Sequence, residues 1–254
     1  MPRYRVEEKT ARADKISVFS VIFPLLSLLY AEGIFAYFSE SGFTVYKILF
    51  ALAAGCFSAA LGRITPWRVL NFIFQTLWLV LCVLLITAQF LCVEAAGAYL
   101  SVFEWKETWP GAAVMLAAAV KNLPFLVCMA APVVLQLTVQ RAALLRRRSL
   151  VGTLLGSDWM ELLGMLLLAL ILSFVSVTLA MHADTGENAP RRQIETEYIA
   201  TASAETFGVL PQTALDLKFN VLHIENEEVV RHYIVTEDGQ QVEITAEEAA
   251  AWSE

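Results

Sequence analysis

The sequence predicts an all-α polytopic membrane protein, in which a five-helix transmembrane bundle precedes a small extracytoplasmic α+β tail of interfacial helices and a hairpin. Three observations support this fold class. Hydrophobic residues make up 57% of the 254 residues, more than in ordinary soluble domains. Apolar runs long enough to cross a bilayer recur along the first 181 residues. The net charge is +4 over residues 1–181 and −11 over residues 182–254, which separates a membrane part from a polar part.

The clearest span is residues 162–181, which contain no charged side chain. A helix of this length rises about 30 Å, the thickness of the hydrocarbon core of a bilayer. Cytoplasmic loops concentrate Lys and Arg, so a basic cluster just before this run places its amino end in the cytoplasm and residues 182–254 outside the cell. The cluster consists of Arg141, Arg146, Arg147 and Arg148.

The other spans are predicted from the remaining apolar runs and the charges between them. Residues 1–15 carry five basic side chains and are predicted to be the cytoplasmic amino terminus. A signal peptide can begin in this way, but the next apolar run is too long and lacks a convincing cleavage site. The predicted spans lie at about 16–38, 44–62, 69–93, 123–140 and 160–181.

The fourth span has two interpretations. The apolar run 111–120 leads into Lys121, and Pro124 and Pro132 interrupt the apolar run after this lysine. A single span broken by a buried lysine is one possibility. We favour an interfacial helix near 111–120 and a crossing helix over 123–140, because a lysine at the bilayer centre costs at least about 2.5 kcal/mol.

Two helices are expected at the start of the tail, over 197–207 and 211–223. Gly208 is suited to a left-handed stop after the first, and Pro211 to the first turn of the second. Their apolar side chains form a surface that fits either lipid headgroups or the bundle.

The end of the tail is predicted to be β-rich. An Asp-Gly pair at 238–239 lies between the runs 229–235 and 242–245, which is the pattern of a hairpin. Thr245 and Glu248 then have the spacing of a capping box that opens a short last helix.

Ionisable residues in or beside the spans are the candidate functional residues. Glu32 is predicted near the outer end of the first helix, and Lys47 at the outer end of the second, where its ammonium group can snorkel toward the headgroups. A structural ion pair of Glu32 with Lys47 or Lys121 is the simpler interpretation. In the functional alternative, Glu32 and Lys121 help receive a lipid headgroup at the outer leaflet.

Other polar and metal-binding residue types give no catalytic or metal site. The cysteines lie inside apolar runs and are interpreted as packing residues, and the histidines have no ligand spacing. No nucleophile elbow, phosphate loop or catalytic carboxylate pair is found. An acidic tail disfavours nucleic acid as a partner. Gln75, Thr76 and Gln89 are expected to hydrogen-bond neighbouring helices.

One stretch of the tail, residues 204–217 with the sequence AETFGVLPQTALDL, is more specific. It resembles the Phe-Gly-x-Leu-Thr-x-x-x-Leu-Asp-Leu segment of the lipoteichoic acid synthase family, phosphoglycerol transferases of the sulfatase and alkaline phosphatase superfamily. In that family five membrane helices, with the amino terminus inside, precede the segment. Pro211 stands where the family usually has Thr. The matching residues are Phe207, Gly208, Leu215, Asp216 and Leu217.

Two further stretches extend the resemblance to about residues 16–225. Glu32 is similar to a glutamate that the family often carries in its first helix, and residues 97–100 resemble a Gly-x-Tyr-Leu-like stretch. The resemblance implies a bacterial cell membrane protein that works with phosphatidylglycerol. The family's threonine nucleophile and manganese-like metal belong to an extracellular catalytic domain without counterpart here, so we expect that domain as a separate or downstream sulfatase-like partner.

Two functions remain open at this stage. In the first, the chain is the membrane anchor and linker that positions such a catalytic domain at the outer leaflet for the synthesis of a cell-envelope polymer. In the second, it is a stand-alone membrane scaffold or small transporter whose acidic extracellular tail binds a partner. A sulfatase-like domain encoded in frame or directly downstream would favour the first.

Overall fold

The computed structural model describes residues 21–100, 110–141, 157–183, 189–195, 199–222, 232–235 and 241–244, and these are mostly helical. In chain order the described helices are α1 (Val21–Phe38), α2 (Val45–Leu61), α3 (Arg68–Ala96), α4 (Ala112–Lys121), α5 (Leu123–Leu135), α6 (Ser157–Met181), α7 (Pro190–Glu195), α8 (Ala200–Phe207) and α9 (Val209–Asp216). Two of them continue into a π-helical turn, α5 into Gln136–Gln140 and α9 into Leu217–Val221.

Three of the described helices are long and apolar enough to cross a membrane, with spans at Val21–Phe38, Val69–Ala96 and Trp159–Met181. Ala112–Lys121 and Leu123–Val139 pass the same test only as a pair, and they are bent by 87° at their break. The described residues therefore contain three candidate spans, or four with the bent pair. The apolar α2 has 17 residues, the short end of the range for a span, and the five-span arrangement stays a prediction.

Helix ends occur where the side-chain chemistry favours them. Thr44 precedes α2, and its Oγ1 accepts a hydrogen bond from the backbone N–H of Lys47 at 3.3 Å, as an N-cap residue does. α3 ends at Gly97, which has φ of 70° and ψ of 10°. That left-handed conformation suits glycine, so α3 passes the predicted end at residue 93.

The core lies among α1, α3, α4 and α5. Its centre is aromatic, with the rings of Phe90 and Phe125 stacked at 3.9 Å between centroids and Phe38 edge-on to Phe125 at 5.5 Å. Ala204 and Val209 of the tail are fully buried in the same cluster. Of the two surfaces that the sequence left open for the tail helices, the structure has them on the bundle.

Small residues allow α2 to approach α1 closely. A Cβ atom added to Gly55 would lie 2.5 Å from the Cα of Leu25, closer than atoms can pack. Close backbone approach through small residues is a common way for membrane helices to associate. The other face of α2 packs along α6, so α2 lies between α1 and α6.

At the opposite end of α2, one ion pair connects the turn before α3 to α6. The Arg63 Nε donates to Glu161 Oε2 at 2.7 Å, and the Arg63 side chain is only 10% exposed. Asn71 closes the same turn, since its Oδ1 accepts from the Thr65 N–H and its Nδ2 donates to the Thr65 carbonyl.

The tail differs from its predicted outline in its helices. α7 has no predicted counterpart, and α8 begins at Ala200, after its N-cap residue Ile199, and not at 197. α9 begins at Val209, directly after Gly208, and not at Pro211, and its hydrogen bonding becomes π-helical from Leu217 onward. Two short strands, β1 (His232–Val235) and β2 (Gln241–Ile244), pair antiparallel with His232 opposite Ile244.

Several predicted features lie outside the described residues. They are the cytoplasmic segment 1–15, the first residues of the first span (16–20), Arg146, Arg147 and Arg148, the start of the first tail helix (197–198), the Asp-Gly turn at 238–239 and the capping box at 245–248.

Candidate functional site

The first membrane helix and the tail meet at Glu32. This residue of α1 is only 1% exposed. The backbone N–H of Leu210 donates to its Oε1 at 3.4 Å, and the N–H of Val209 also faces the carboxylate. The first N–H groups of a helix have no partner within that helix, and the helix dipole favours an acidic group near them. Glu32 therefore caps α9 from a position 178 residues earlier in the chain.

Gly208 is the residue that allows this approach. Its φ of 95° and ψ of 174° lie in a region occupied essentially by glycine alone. A Cβ atom at this position would lie 2.9 Å from Glu32 Oε2 and 3.1 Å from Oε1. The sequence correctly predicts a positive φ here, but the conformation is extended and not left-handed helical.

Phe207 holds the adjacent end of α8 against α2. Its side chain is 1% exposed, and its ring lies edge-on to Tyr46 at 5.5 Å and to Phe50 at 6.3 Å. The hydroxyl of Thr44, the residue that caps α2, donates to the backbone carbonyl of Thr206. The Phe-Gly pair is thus fixed by an aromatic contact on one side and a carboxylate on the other.

Lys47 is enclosed at this end of the bundle. It is fully buried, and its Nζ donates to Ser41 Oγ at 2.7 Å and to the Gly42 carbonyl at 2.9 Å. The predicted snorkelling to the membrane surface is wrong, because the ammonium group ends on the α1–α2 loop. Glu32 and Glu205 lie within electrostatic range of it, but no salt bridge in the described part of the chain joins Lys47 to Glu32.

Tyr99, in the loop after α3, completes the site. Its ring packs against Phe35 at 6.5 Å, and burial raises its pKa to about 12, with the charges of Glu205 and Glu32 acting in the same direction. The next residue, Leu100, exchanges two hydrogen bonds with the buried amide of Gln89, at 2.7 and 2.8 Å. That amide holds the loop in place beneath the tail.

We call the set Glu32, Lys47, Tyr99, Phe207 and Gly208 the linker junction. Its members come from α1, α2, the loop after α3 and the tail. All of them are at least nine-tenths buried. The three stretches that carry the family resemblance, which are far apart in sequence, thus meet at one place in the fold.

The rest of the Phe-Gly motif lies along α9. Asp216 is fully buried, whereas Leu217 is 43% exposed at the start of the π-helical turn. Leu215 lines an apolar groove between α9, α2 and α6. The motif residues therefore fix the position and course of α9, and none of them occupies an exposed catalytic cleft.

The predicted partner Lys121 is elsewhere. Its Nζ donates to Glu94 Oε2 at 3.1 Å, and the amide of Asn122 donates to the same oxygen at 3.2 Å. This ion pair joins the end of α3 to the bend between α4 and α5. The predicted alternatives in which Lys121 pairs with Glu32, or receives a headgroup together with it, are therefore not what the structure has.

The polar residues of α3 serve two different purposes. The amide of Gln136 donates toward Gln75 Oε1 at 3.5 Å and to Thr76 Oγ1 at 3.3 Å, which confirms the predicted hydrogen bonding between helices. Gln89 bonds the loop and not a neighbouring helix. Arg141, the described member of the basic cluster, is exposed directly after the π-helical end of α5.

The contacts of the linker junction position the tail relative to the helices of the bundle. In the residues that the structure describes, no group of three or more His, Cys, Asp or Glu side chains is placed to hold a metal ion. The carboxylate of Glu32 faces backbone N–H groups and lies under Gly208, where substrate has no access to it. Such an arrangement can hold a tail on a membrane bundle.

Sequence reasoning missed the contact between Glu32 and Gly208, the role of Thr44 and the ion pair of Arg63 with Glu161. An isolated glutamate in an apolar helix signals that a partner exists, but not which one. For Arg63 and Glu161 the signal was their common position at one end of adjacent spans.

Comparison with protein-family models, curated proteins and solved structures finds no match to this chain.

Proposed function

We propose that the chain is a membrane anchor and linker, similar to that of a lipoteichoic-acid-synthase-like phosphoglycerol transferase, which positions an extracellular metal-dependent domain at the outer leaflet. The observation that carries this proposal is the cap of α9 by Glu32. A carboxylate of the first membrane helix that binds the backbone after Phe207-Gly208 fixes the start of the tail to the bundle.

The three stretches that resemble the lipoteichoic acid synthase family lie together in the fold, which supports the same proposal. Glu32, Tyr99 and Phe207-Gly208 all lie in stretches that carry the resemblance, and each is a member of the linker junction. A motif whose role is to dock the linker on the bundle is expected to lie at a contact between the two. Holding a catalytic domain at a fixed height over the headgroups raises the effective concentration of a lipid substrate without any chemistry in the anchor.

The topology that we propose has five spans, formed by α1, α2, α3, α5 and α6, with the amino terminus in the cytoplasm and the carboxyl terminus outside. The 87° bend between α4 and α5 supports an interfacial helix that precedes a crossing helix. Lys121 lies at the bend with a side chain 75% exposed, in keeping with the membrane surface.

Reporter fusions test this orientation. A green fluorescent protein fused after Arg148 is expected to fluoresce, because that loop is cytoplasmic, whereas the same reporter exported after Glu254 should stay dark. Alkaline phosphatase at the two sites should give the opposite result, because it folds only outside the cytoplasm. Fluorescence after Glu254 would contradict the proposed orientation.

A second test concerns catalysis. The purified chain of residues 1–254 is expected to release no glycerophosphate from phosphatidylglycerol, with or without manganese, because the resemblance assigns nucleophile and metal to a separate domain. The measurement is headgroup release from labelled phosphatidylglycerol in detergent micelles. Turnover that depends on this polypeptide would contradict the anchor role.

The competing function is a scaffold or small transporter with an acidic tail. A transporter is expected to keep broken helices and a polar site near the bilayer midplane. In the described spans the amide of Gln136 donates to Gln75 and to Thr76, while Gln75 Nε2 and Gln136 Oε1 are buried without a hydrogen-bond partner in the described residues. An adjacent or in-frame sulfatase-like domain in the genome would favour the anchor over the scaffold.

A further inference from the structure

An apolar groove of about 680 Å³ lies beside the linker junction, between α2, α6 and α9. This volume is within the roughly 300–1,000 Å³ of small-molecule sites. Apart from Ser173, Lys218 and the indole N–H of Trp78, the side chains that line it are apolar. Leu170 on its rim is 66% exposed, so the groove opens sideways, toward the surface that faces lipid in a membrane.

The length of the groove corresponds to one leaflet. On α6 it runs from Leu166 to Val177, a rise of about 16 Å. Half of a hydrocarbon core is about 15 Å. From the middle of α6 the groove reaches Ile194 and Lys218 of the tail, where the polar headgroup of a lipid would lie.

The charge at that end is positive. Lys218 Nζ donates to the Ile194 carbonyl at 2.6 Å and lies 4.6 Å from the centre of the Phe219 ring. An ammonium group carries three donors, and within the described residues Ile194 is its one hydrogen-bond acceptor, so donors remain for a phosphate.

We propose that this groove binds one acyl chain of an anionic phospholipid, with the phosphate of that lipid against Lys218. The apolar walls accept the chain, the lateral opening admits it from the bilayer, and the ammonium group selects the charge of the headgroup. The bound lipid would fill the space between α6 and α9 and pack against the buried face of Phe207. The site is separate from Glu32 and does not depend on the proposed transferase role.

The test uses two photoactivatable lipids with identical acyl chains, one a phosphatidylglycerol and the other a phosphatidylcholine, in nanodiscs that contain the full chain. Mass spectrometry then maps the labelled peptides. Ala53, Ala54 and Phe57 report on the groove. Leu77, Leu81 and Leu84 on α3, each about three-fifths exposed, report on ordinary boundary lipid in the same molecule. Both leaflets of a nanodisc are alike, so orientation does not affect the result.

We expect phosphatidylglycerol to label the groove peptide about fivefold more than phosphatidylcholine, the preference given by about 1 kcal/mol per lysine at a membrane surface. The α3 peptide should show no such preference. Lys218→Met should abolish the preference at the groove, whereas Lys121→Met, which removes a cation outside the groove, should leave it unchanged.

A second pair of variants tests occupancy itself. Ser173→Phe fills the groove and should remove labelling of the α2 peptide. Leu167→Phe places the same ring on a residue of α6 that is 59% exposed and does not line the groove, so labelling should persist. Equal effects of the two variants, or a preference that survives Lys218→Met, would each overturn the proposal.

Discussion

Replacing Phe207 by alanine is expected to release α8 and α9 from the bundle while the membrane helices stay folded. The ring is 1% exposed and lies between Tyr46 and Phe50. Truncation of a buried phenylalanine typically costs about 3–5 kcal/mol. If this free energy is lost from the docking of the tail on the bundle, amide exchange of residues 200–222 should accelerate roughly 10²- to 10⁴-fold.

Hydrogen–deuterium exchange read out by mass spectrometry measures this effect segment by segment. Phe174→Ala is the matched control, because Phe174 is 69% exposed on α6 and its loss should leave exchange of the tail unchanged. Peptides from α3 serve as an internal reference for the bundle. Unchanged protection of α8 and α9 in Phe207→Ala would show that the aromatic contact does not hold the tail.

The helices of the membrane part could be predicted because their signal is local. A long apolar run without charge has few alternatives to a helix in lipid, and α6 begins within three residues of its predicted start at 160. The end of α3 was predicted less well, because hydrophobicity fades through Glu94 while the backbone stays helical until Gly97 permits a left-handed turn.

The linker junction could be predicted only in part. Gly208 and Phe207 were found through a motif, and Glu32 through its charge in an apolar helix, but each was assigned a separate role. The contact between them depends on how α2 lies beside α1 and on where α8 ends, which is tertiary information. Electrostatic reasoning from the sequence chose a lysine as the partner of Glu32, whereas the structure supplies backbone N–H groups of a helix end.

The same limit explains the error about Lys47. A lysine near the end of an apolar helix normally extends to the membrane surface. Here the tail helices cover that surface, and the loop between α1 and α2 offers the Ser41 hydroxyl and the Gly42 carbonyl instead. No local pattern reveals that a segment some 160 residues later covers the site.

Gly208→Ala is expected to destabilise the docked tail by two separable effects. A side chain at φ of 95° and ψ of 174° strains the backbone by about 1–3 kcal/mol. The new Cβ would also lie 2.9 Å from Glu32 Oε2, so the carboxylate must move and α9 loses its cap. Gly111→Ala is the matched control, since Gly111 has a similar backbone conformation, with φ of 90° and ψ of 150°, but open space around it, and it reports the backbone strain alone.

A double-mutant cycle with Glu32→Ala isolates the contact. Glu32→Ala should destabilise on its own, because a hydrogen bond to a charged group contributes about 1.5–3 kcal/mol. In that background the Cβ of Gly208→Ala meets no carboxylate, so the double variant should be more stable than additivity predicts by roughly 1 kcal/mol or more. Gly111→Ala and Glu32→Ala, in contrast, should be additive. Unfolding in mixed detergent micelles measures all five variants. Additivity of Gly208→Ala with Glu32→Ala would mean that the two residues do not interact in the folded protein, because residues in contact show a coupling free energy that distant, independent residues lack.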